Sequence, residues 1–357
     1  METVIFKGKN KDEDNFVVAL RKNVNDYFKH NHLSTKANFA MIFKTIIMLS
    51  FYIIPYLLIV FTPLNSFLAL FLVILMGIGV AGVGMCVMHD ACHGAYSSNF
   101  KINNLLSASL YLLGSDVLNW KIQHNYLHHT YTNVPGYDED IDSKGPIRLS
   151  KKSPWKWYHR FQFLYAFIFY GMMTITKLID DFPNLISYHK NGYIKYQKVK
   201  VNRQLLKMAI RKLIYLFIII GIPIIVATYS VIQIVTAFLL MHWVASIILS
   251  YVFQMAHVVE GARQPLNNEI DTNWFIHQLN TTSDFARNNK ILSWYVGGLN
   301  FQIEHHLFPS ICHIHYKKIA PIVEKTVREF GFTYNLKTSF SSALSSHMQS
   351  LIILGKK

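Results

Sequence analysis

TIIMLSFYIIPYLLIVFTPLNSFLALFLVILMGIGVAGVGMCVMH, residues 45–89, contains no Asp, Glu, Lys or Arg. A bilayer crossing takes about 20 apolar residues, so the stretch holds two crossings. It breaks once, at Thr62-Pro63-Leu64-Asn65-Ser66. A second charge-free stretch, 213–256, breaks near Thr228-Tyr229-Ser230. The expectation is therefore an all-α integral membrane fold of two helical hairpins, with spans at 41–61, 67–88, 213–229 and 231–253. The composition agrees: 52% of the 357 residues are hydrophobic and 15% are charged, against about 25% charged in a soluble chain.

Neither hairpin turn carries a Lys or Arg, and all 35 basic residues lie on the opposite side. The positive-inside bias places both termini and the long middle segment in the cytoplasm. The net charge of +15 then faces anionic lipid headgroups or an acidic partner, and no nucleic-acid partner is implied. The segments read as a cytoplasmic N-terminal arm (1–40), a membrane domain (41–335) and a C-terminal tail (336–357). Phe161 to Thr176 is short for a crossing, and a crossing there would invert the second hairpin. It and Leu105–Leu113 are assigned to the membrane interface or to packing beneath a cytoplasmic helical cap. Gly77, Gly79, Gly82 and Gly84 mark close approach between helices. Three cysteines, Cys86, Cys92 and Cys312, make no disulfide framework.

Three histidine clusters sit just outside the charge-free stretches: His89-Asp-Ala-Cys-His93, His124-Asn-Tyr-Leu-His128-His129 and Gln302-Ile-Glu-His305-His306. Neutral imidazole is the commonest metal ligand, and rings at i and i+4 share a helical face. His89/His93 and His124/His128 could each grip one ion in this way. In the doublets the rings diverge by about 100° if the segment is helical, so one ring can serve one ion and its neighbour another. Seven clustered histidines exceed the needs of a four-ligand zinc site or a two-His, one-carboxylate iron site, and they suggest two metal ions. His257, at the end of the fourth span, matches His89 at the end of the second. A polar group at that depth is costly unless paired or functional, so it reads as a ligand, with capping or interfacial anchoring as the alternatives. His242 lies too deep for the same site and reads as an interhelical hydrogen-bonding group. His30, His32, His159, His189, His277 and His347 are assigned no role. Residue types alone leave zinc, copper, nickel and iron open.

The order His89-x3-His93, His124-x3-His128-His129, Gln302-x2-His305-His306 resembles the three histidine boxes of membrane fatty-acid desaturases. The likeness extends to Trp120, Thr130-Tyr131-Thr132-Asn133, Asp138-x-Asp140, Gly298-Leu299-Asn300-Phe301 and Leu307-Phe308-Pro309, and covers residues 40–325. It implies a non-haem di-iron centre in the cap held by His89, His93, His124, His128, His129, His257, His305 and His306. It also implies an acyl substrate, CoA- or lipid-linked, with O2 as co-substrate and electrons from an external carrier such as ferredoxin or cytochrome b5. Gln302, where many desaturases have His, resembles the front-end subtype, which adds a double bond between an existing one and the carboxyl end. Related sphingolipid desaturases share this feature. The sequence contains no His-Pro-Gly-Gly haem motif, so a separate electron carrier is expected. Gln302 can offer an amide oxygen to a metal or hydrogen-bond a ligand. Asp90 and Glu304 are candidates for fixing ligand tautomers or holding a metal; solvated charge is the alternative.

A lipid hydroxylase on the same scaffold is the nearest competing reading. A metal transporter would need polar groups spaced through the bilayer, yet only His242 is deep. A bis-histidine haem protein would need paired histidines at like depth on two crossings, and the sequence has none.

Overall fold

The computed structural model describes residues 4–8, 10–142, 145–195, 199–265 and 269–357. After helix α1 (Lys11–His30) come the membrane-length helices α2 (Phe39–Phe61) and α3 (Ser66–Cys92). Asn38 and Asn65 accept the Met41 and Leu68 N–H groups and so start these helices. The connection between them contains Pro63, which suits a turn. The second hairpin is α8 (Val201–Val226) and α9 (Val231–His257), with Ser230 and Gln233 forming a capping box at its turn. The Tyr229 hydroxyl donates to Leu64 O at 3.1 Å, so both hairpin turns lie at one end of the bundle. The long chain between the hairpins therefore belongs to the other end.

Helices α3 and α9 are each 27 residues, about 40 Å against a hydrocarbon layer of about 30 Å. Each therefore exceeds the layer by about 10 Å, and His89 and His257 both lie near the ends away from the hairpin turns. Helix α3 is the most buried of the four spans, and its glycines explain why. A Cβ at Gly77 would stand 2.7 Å from Met241 O, and one at Gly79 2.6 Å from Phe51 C. Gly82 is closed in the same way by Met48 Sδ at 2.4 Å. Gly84 differs from the expectation for the glycine run: a Cβ there meets nothing nearer than Leu249 Cδ2 at 3.6 Å.

Between the hairpins lie α4 (Phe100–Ser107) and α5, which begins as Val117–Trp120 and runs on as the π-helical Lys121–His128. They are followed by α6 (Gln162–Tyr170) and α7 (Met173–Lys190). Leu105–Leu113 falls in α4 and the 3-10 turn after it. Phe161–Thr176 forms no straight span. The stretches Trp157–Tyr170 and Met173–Lys190 are bent by 85° at Gly171, where a Cβ would lie 2.1 Å from the Trp243 ring.

Three expected boundaries need correction. The third span starts at Val201 rather than at 213, because its basic residues pair with the cap instead of ending the helix. Lys212 Nζ donates to Gly114 O, Lys177 O and Asp181 Oδ2 at 2.9, 2.7 and 2.7 Å, and the Arg211 guanidinium lies 4.1 Å over the Tyr111 ring. The expected N-terminal arm contains α1, whose Phe16, Leu20, Val24 and Phe28 sit at helical spacing in one core with Ile319, Ala320, Val323 and Val327 of α12 (Tyr316–Glu329). The expected C-terminal tail is folded: Leu336–Lys337 pairs in parallel with Asp284–Phe285, and α13 (Phe340–Leu354) follows. The His347 ring bonds Val258 O at 2.8 Å and the Tyr170 hydroxyl at 3.0 Å. Helix α13 thereby holds the residue that follows His257.

Candidate metal centre

Helices α3, α5 and α9 and the short α11 (Gln302–Leu307) bring all eight box-region histidines together, seven of them buried and His93 partly so. His89, His93, His124 and His305 offer ligand atoms within 4.8 Å of one another, and so do His128, His257 and His306; His129 groups with His305 and His306. His305 falls in the first group and His306 in the second, and both fall together with His129 in the third.

The segment of the His124/His128 pair is π-helical, a form common at functional sites. His124 Nε2 lies 3.2 Å from His89 Nε2 and 3.3 Å from His129 Nε2, whereas His128 Nε2 lies 3.3 Å from His306 Nε2. His124 and His128 also offer ligand atoms within 4.8 Å of each other and of Asp140, so the pair can serve one ion together or the two groups separately.

Proton positions follow from the other ring nitrogens. His128 Nδ1–H donates to Asp138 at 3.0 Å, and Asp138 is itself fixed by the Asn133 and Asp140 N–H groups at 2.7 and 3.1 Å. His306 Nδ1–H donates to Gln278 Oε1 at 2.8 Å, from α10 (Trp274–Thr281). Both Nε2 atoms therefore present lone pairs to each other at 3.3 Å, an arrangement that a cation between them satisfies. His93 Nε2 and His305 Nε2 are buried without a partner among the described residues. Burial, then repulsion from neighbouring imidazoles, holds His93, His124, His129, His305 and His306 well below the ordinary histidine range. They are neutral, the form that binds metal. Burial also lowers His128, but the Asp138 carboxylate outweighs it and the net shift is upward. The donor set fits two metal ions.

Gln302 lies at the second group, its amide nitrogen 2.9 Å from His257 Nε2 and 3.4 Å from His306 Nε2. Its oxygen is buried without a partner among the described residues. Asp90 falls with Cys312 and His313 in a group whose ligand atoms lie within 4.8 Å of one another, beside the two histidine groups. Asp90 Oδ2 accepts the ring Nδ1–H and backbone N–H of His313 at 2.9 and 3.1 Å, while its other oxygen is 3.8 Å from His89 Nδ1, beyond hydrogen-bonding range. Lys44 Nζ, 2.8 Å from His313 Nε2, supplies the positive charge there. Among the described residues the Glu304 side chain makes no hydrogen bond to a histidine. It lies 2.8 Å from the Tyr334 hydroxyl, which is also 2.6 Å from Asp284. Burial and then the Asp284 charge push the Glu304 carboxyl well above its usual range.

Sequence reasoning missed Gln278 and His313: Gln278 stands in no cluster, and His313, though seven residues after His306, is cut off from that helix by Pro309. His277, assigned no role, bonds Thr132 O at 2.9 Å. His242 makes the interhelical bonds expected of it, Nε2 to the Tyr215 hydroxyl at 2.7 Å and Nδ1 to Thr174 Oγ1 at 2.8 Å.

Beneath the histidines lies a cavity of about 620 Å³, lined by His89, His124 and Gln302 at the metal-binding groups and by Val80, Gly84, Leu113 and Thr174 deeper down. Its polar wall carries Glu139, Asp140, Asp142, Asp180 and Lys177. Burial, then the neighbouring Asp138, pushes Asp140 up to about 6.

A sequence model of the fatty acid desaturase family matches residues 65–338. The chain is 36% identical to an sn-1 linoleoyl-lipid 6-desaturase of Arthrospira platensis, covering 93% of this chain and 90% of that one. It is 32% identical to an acyl-lipid (8-3)-desaturase of Physcomitrium patens, over 96% and 72%. A second sn-1 linoleoyl-lipid 6-desaturase, from Synechocystis sp., is 31% identical over 95% of each chain. With its membrane-length helices and buried histidine groups, the chain belongs to the fatty acid desaturase family.

Proposed function

We propose that the protein is a front-end desaturase acting on an acyl chain carried by a membrane lipid, with two irons as its resident metals. The observation that carries this is a cavity whose upper wall is metal-binding histidine and whose lower wall is apolar. In the net reaction an acyl CH2–CH2 unit, O2, two electrons and two protons give a CH=CH unit and two waters. The irons, when bound, supply the oxidising power that an unactivated C–H bond requires. One is held by His89, His93, His124, His129 and His305, the other by His128, His257, His306 and Gln302. Amide orientation is assigned from hydrogen bonding; with the Gln302 amide turned over, its oxygen takes the place of the nitrogen 2.9 Å from His257 Nε2 and serves as a neutral donor. Asp138 and Gln278 hold the His128 and His306 protons on Nδ1, leaving Nε2 for metal. Electrons come from a separate carrier, a ferredoxin or cytochrome b5. Among the described residues the cavity's polar wall has four carboxylates against the single ammonium of Lys177. A chain delivered on a lipid is in keeping with the lipid-linked substrates that the relatives' names state.

Purified protein should contain close to two irons per chain, and a single zinc without iron would overturn the two-iron reading. Fed an acid unsaturated near mid-chain, a host expressing the protein should form its new double bond on the carboxyl side. A new bond on the methyl side would remove the front-end assignment, and label from heavy dioxygen in the lipid would indicate a hydroxylase. The cap and both termini are assigned to the cytoplasm, since the turns lack basic residues. All three native cysteines are buried, so cysteines introduced at Asn65 and Ser230 should react with an impermeant thiol reagent added outside, and one at Lys318 should not. The reverse pattern would invert the topology.

A further inference from the structure

The fourth-span histidine, His242, takes no part in the metal groups, yet it is fully buried with both ring nitrogens bonded. We propose that the bridge Thr174–His242–Tyr215 is the floor of the acyl cavity and sets how much chain fits beyond the metals. This inference rests on the desaturase reading above.

Its position supports the role. Thr174 lines the large cavity from below. A second cavity, of about 320 Å³, lies on the other side of the bridge, lined by Val73, Met76, Ile219, Phe238 and Met241. The Phe238 ring packs edge-on against His242, with centroids 4.6 Å apart. Along α3 the two cavities are one turn apart, the upper ending at Val80 and the lower beginning at Met76. Thr174 Oγ1 also lies 2.7 Å from Ser246 Oγ. The crosspiece therefore ties α7, α8 and α9 together through hydrogen bonds.

The chemistry explains why a polar group stands between two apolar spaces. A buried imidazole in a membrane is costly unless both nitrogens are satisfied. Once satisfied, the ring is held by two directed hydrogen bonds as well as by packing. A fixed partition measures a flexible acyl chain; a mobile one does not. From His89 to Val80 is nine residues, roughly 13–14 Å along the helix at an α-helical rise, room for about ten methylenes above the floor.

Gly84 completes the argument. It lines the cavity above the floor, and a Cβ there meets nothing closer than 3.6 Å. Unlike Gly77 and Gly79 it keeps volume open rather than bringing helices together. A larger side chain at 84 should raise the effective floor.

The test is the product profile of a host expressing the protein and fed a series of unsaturated acids differing by two carbons. His242→Ala should raise the conversion of longer acids relative to the preferred one by at least about fivefold, by joining the two cavities. Gly84→Leu should shift the same ratio toward shorter acids by a similar factor. Should His242→Ala not accumulate, Thr174→Ala breaks the bridge while leaving the ring, with a smaller shift toward longer acids expected. An unchanged ratio in Gly84→Leu and in the floor variant that accumulates would overturn the proposal. A wild type that forms no desaturated product would overturn the functional reading instead.

Discussion

Replacing His128 by alanine is expected to take desaturated product below detection and to lower the iron content from about two per chain to about one, at unchanged expression. His128 lies where two constraints meet. Its Nε2 faces His306 Nε2 at 3.3 Å, and its Nδ1–H is held by Asp138 at 3.0 Å. Asp138→Asn keeps the ring but offers an amide in place of one carboxylate oxygen. That amide cannot accept at both oxygens while the Asn133 and Asp140 N–H groups also point at them. Loss of such an outer partner costs about 10–100-fold in metal affinity or activity, so Asp138→Asn should retain a measurable fraction of product where His128→Ala retains none. Partial recovery in Asp138→Glu would separate positioning of the ring from a general need for charge. Full activity and two irons in Asp138→Asn would remove the role assigned to Asp138, and full activity in His128→Ala would remove the second metal pocket.

The histidines were legible because ligands carry their chemistry in residue type and repeat in clusters, while the groups that aim them do not. Gln278 reaches His306 from α10, and His313 reaches Asp90 from the segment before α12. Their pairings are long-range contacts with no periodicity to announce them. The His124/His128 spacing is incomplete for a different reason: i,i+4 describes faces of an α-helix, and nothing in Lys121–His128 marks the π-turn that also brings His129 Nε2 within 3.3 Å of His124 Nε2. The spans show the same division. Absence of charge located all four, but it cut the third one short, since Arg203, Lys207, Arg211 and Lys212 lie inside the helix and Lys212 is neutralised by Asp181 and two carbonyls. Charge marks where a helix leaves lipid, not where it ends. The C-terminal segment was read as a tail because α13 alternates serines with apolar residues and has no strong face; it is held by tertiary contacts such as His347 to Val258 O.

Gly79→Leu should abolish accumulation of folded protein, whereas Gly145→Ala should not, because a Cβ at 145 meets nothing within 4 Å. A Cβ at position 79 would lie 2.6 Å from Phe51 C, 2.7 Å from Tyr52 N and 2.8 Å from Phe51 O. All three are backbone atoms, so no rotamer change relieves the clash and α2 must move away from α3. The contact falls where α2 is least able to lose it. Pro55 lies within α2 and has no N–H, so the Phe51 carbonyl four residues earlier lacks its helical donor. Overpacking of this kind costs about 1–3 kcal/mol, and more where backbone must move. The displacement would also travel, since α3 holds the cavity wall at Val80 and Gly84 and ends in the first metal pocket at His89. Detergent-extracted Gly79→Leu should therefore elute as aggregate in size-exclusion chromatography and carry no iron. Gly79→Ala, which adds only the Cβ, should show a lowered melting temperature with residual iron. A monodisperse, iron-loaded Gly79→Leu would mean that α2 and α3 do not meet at this glycine.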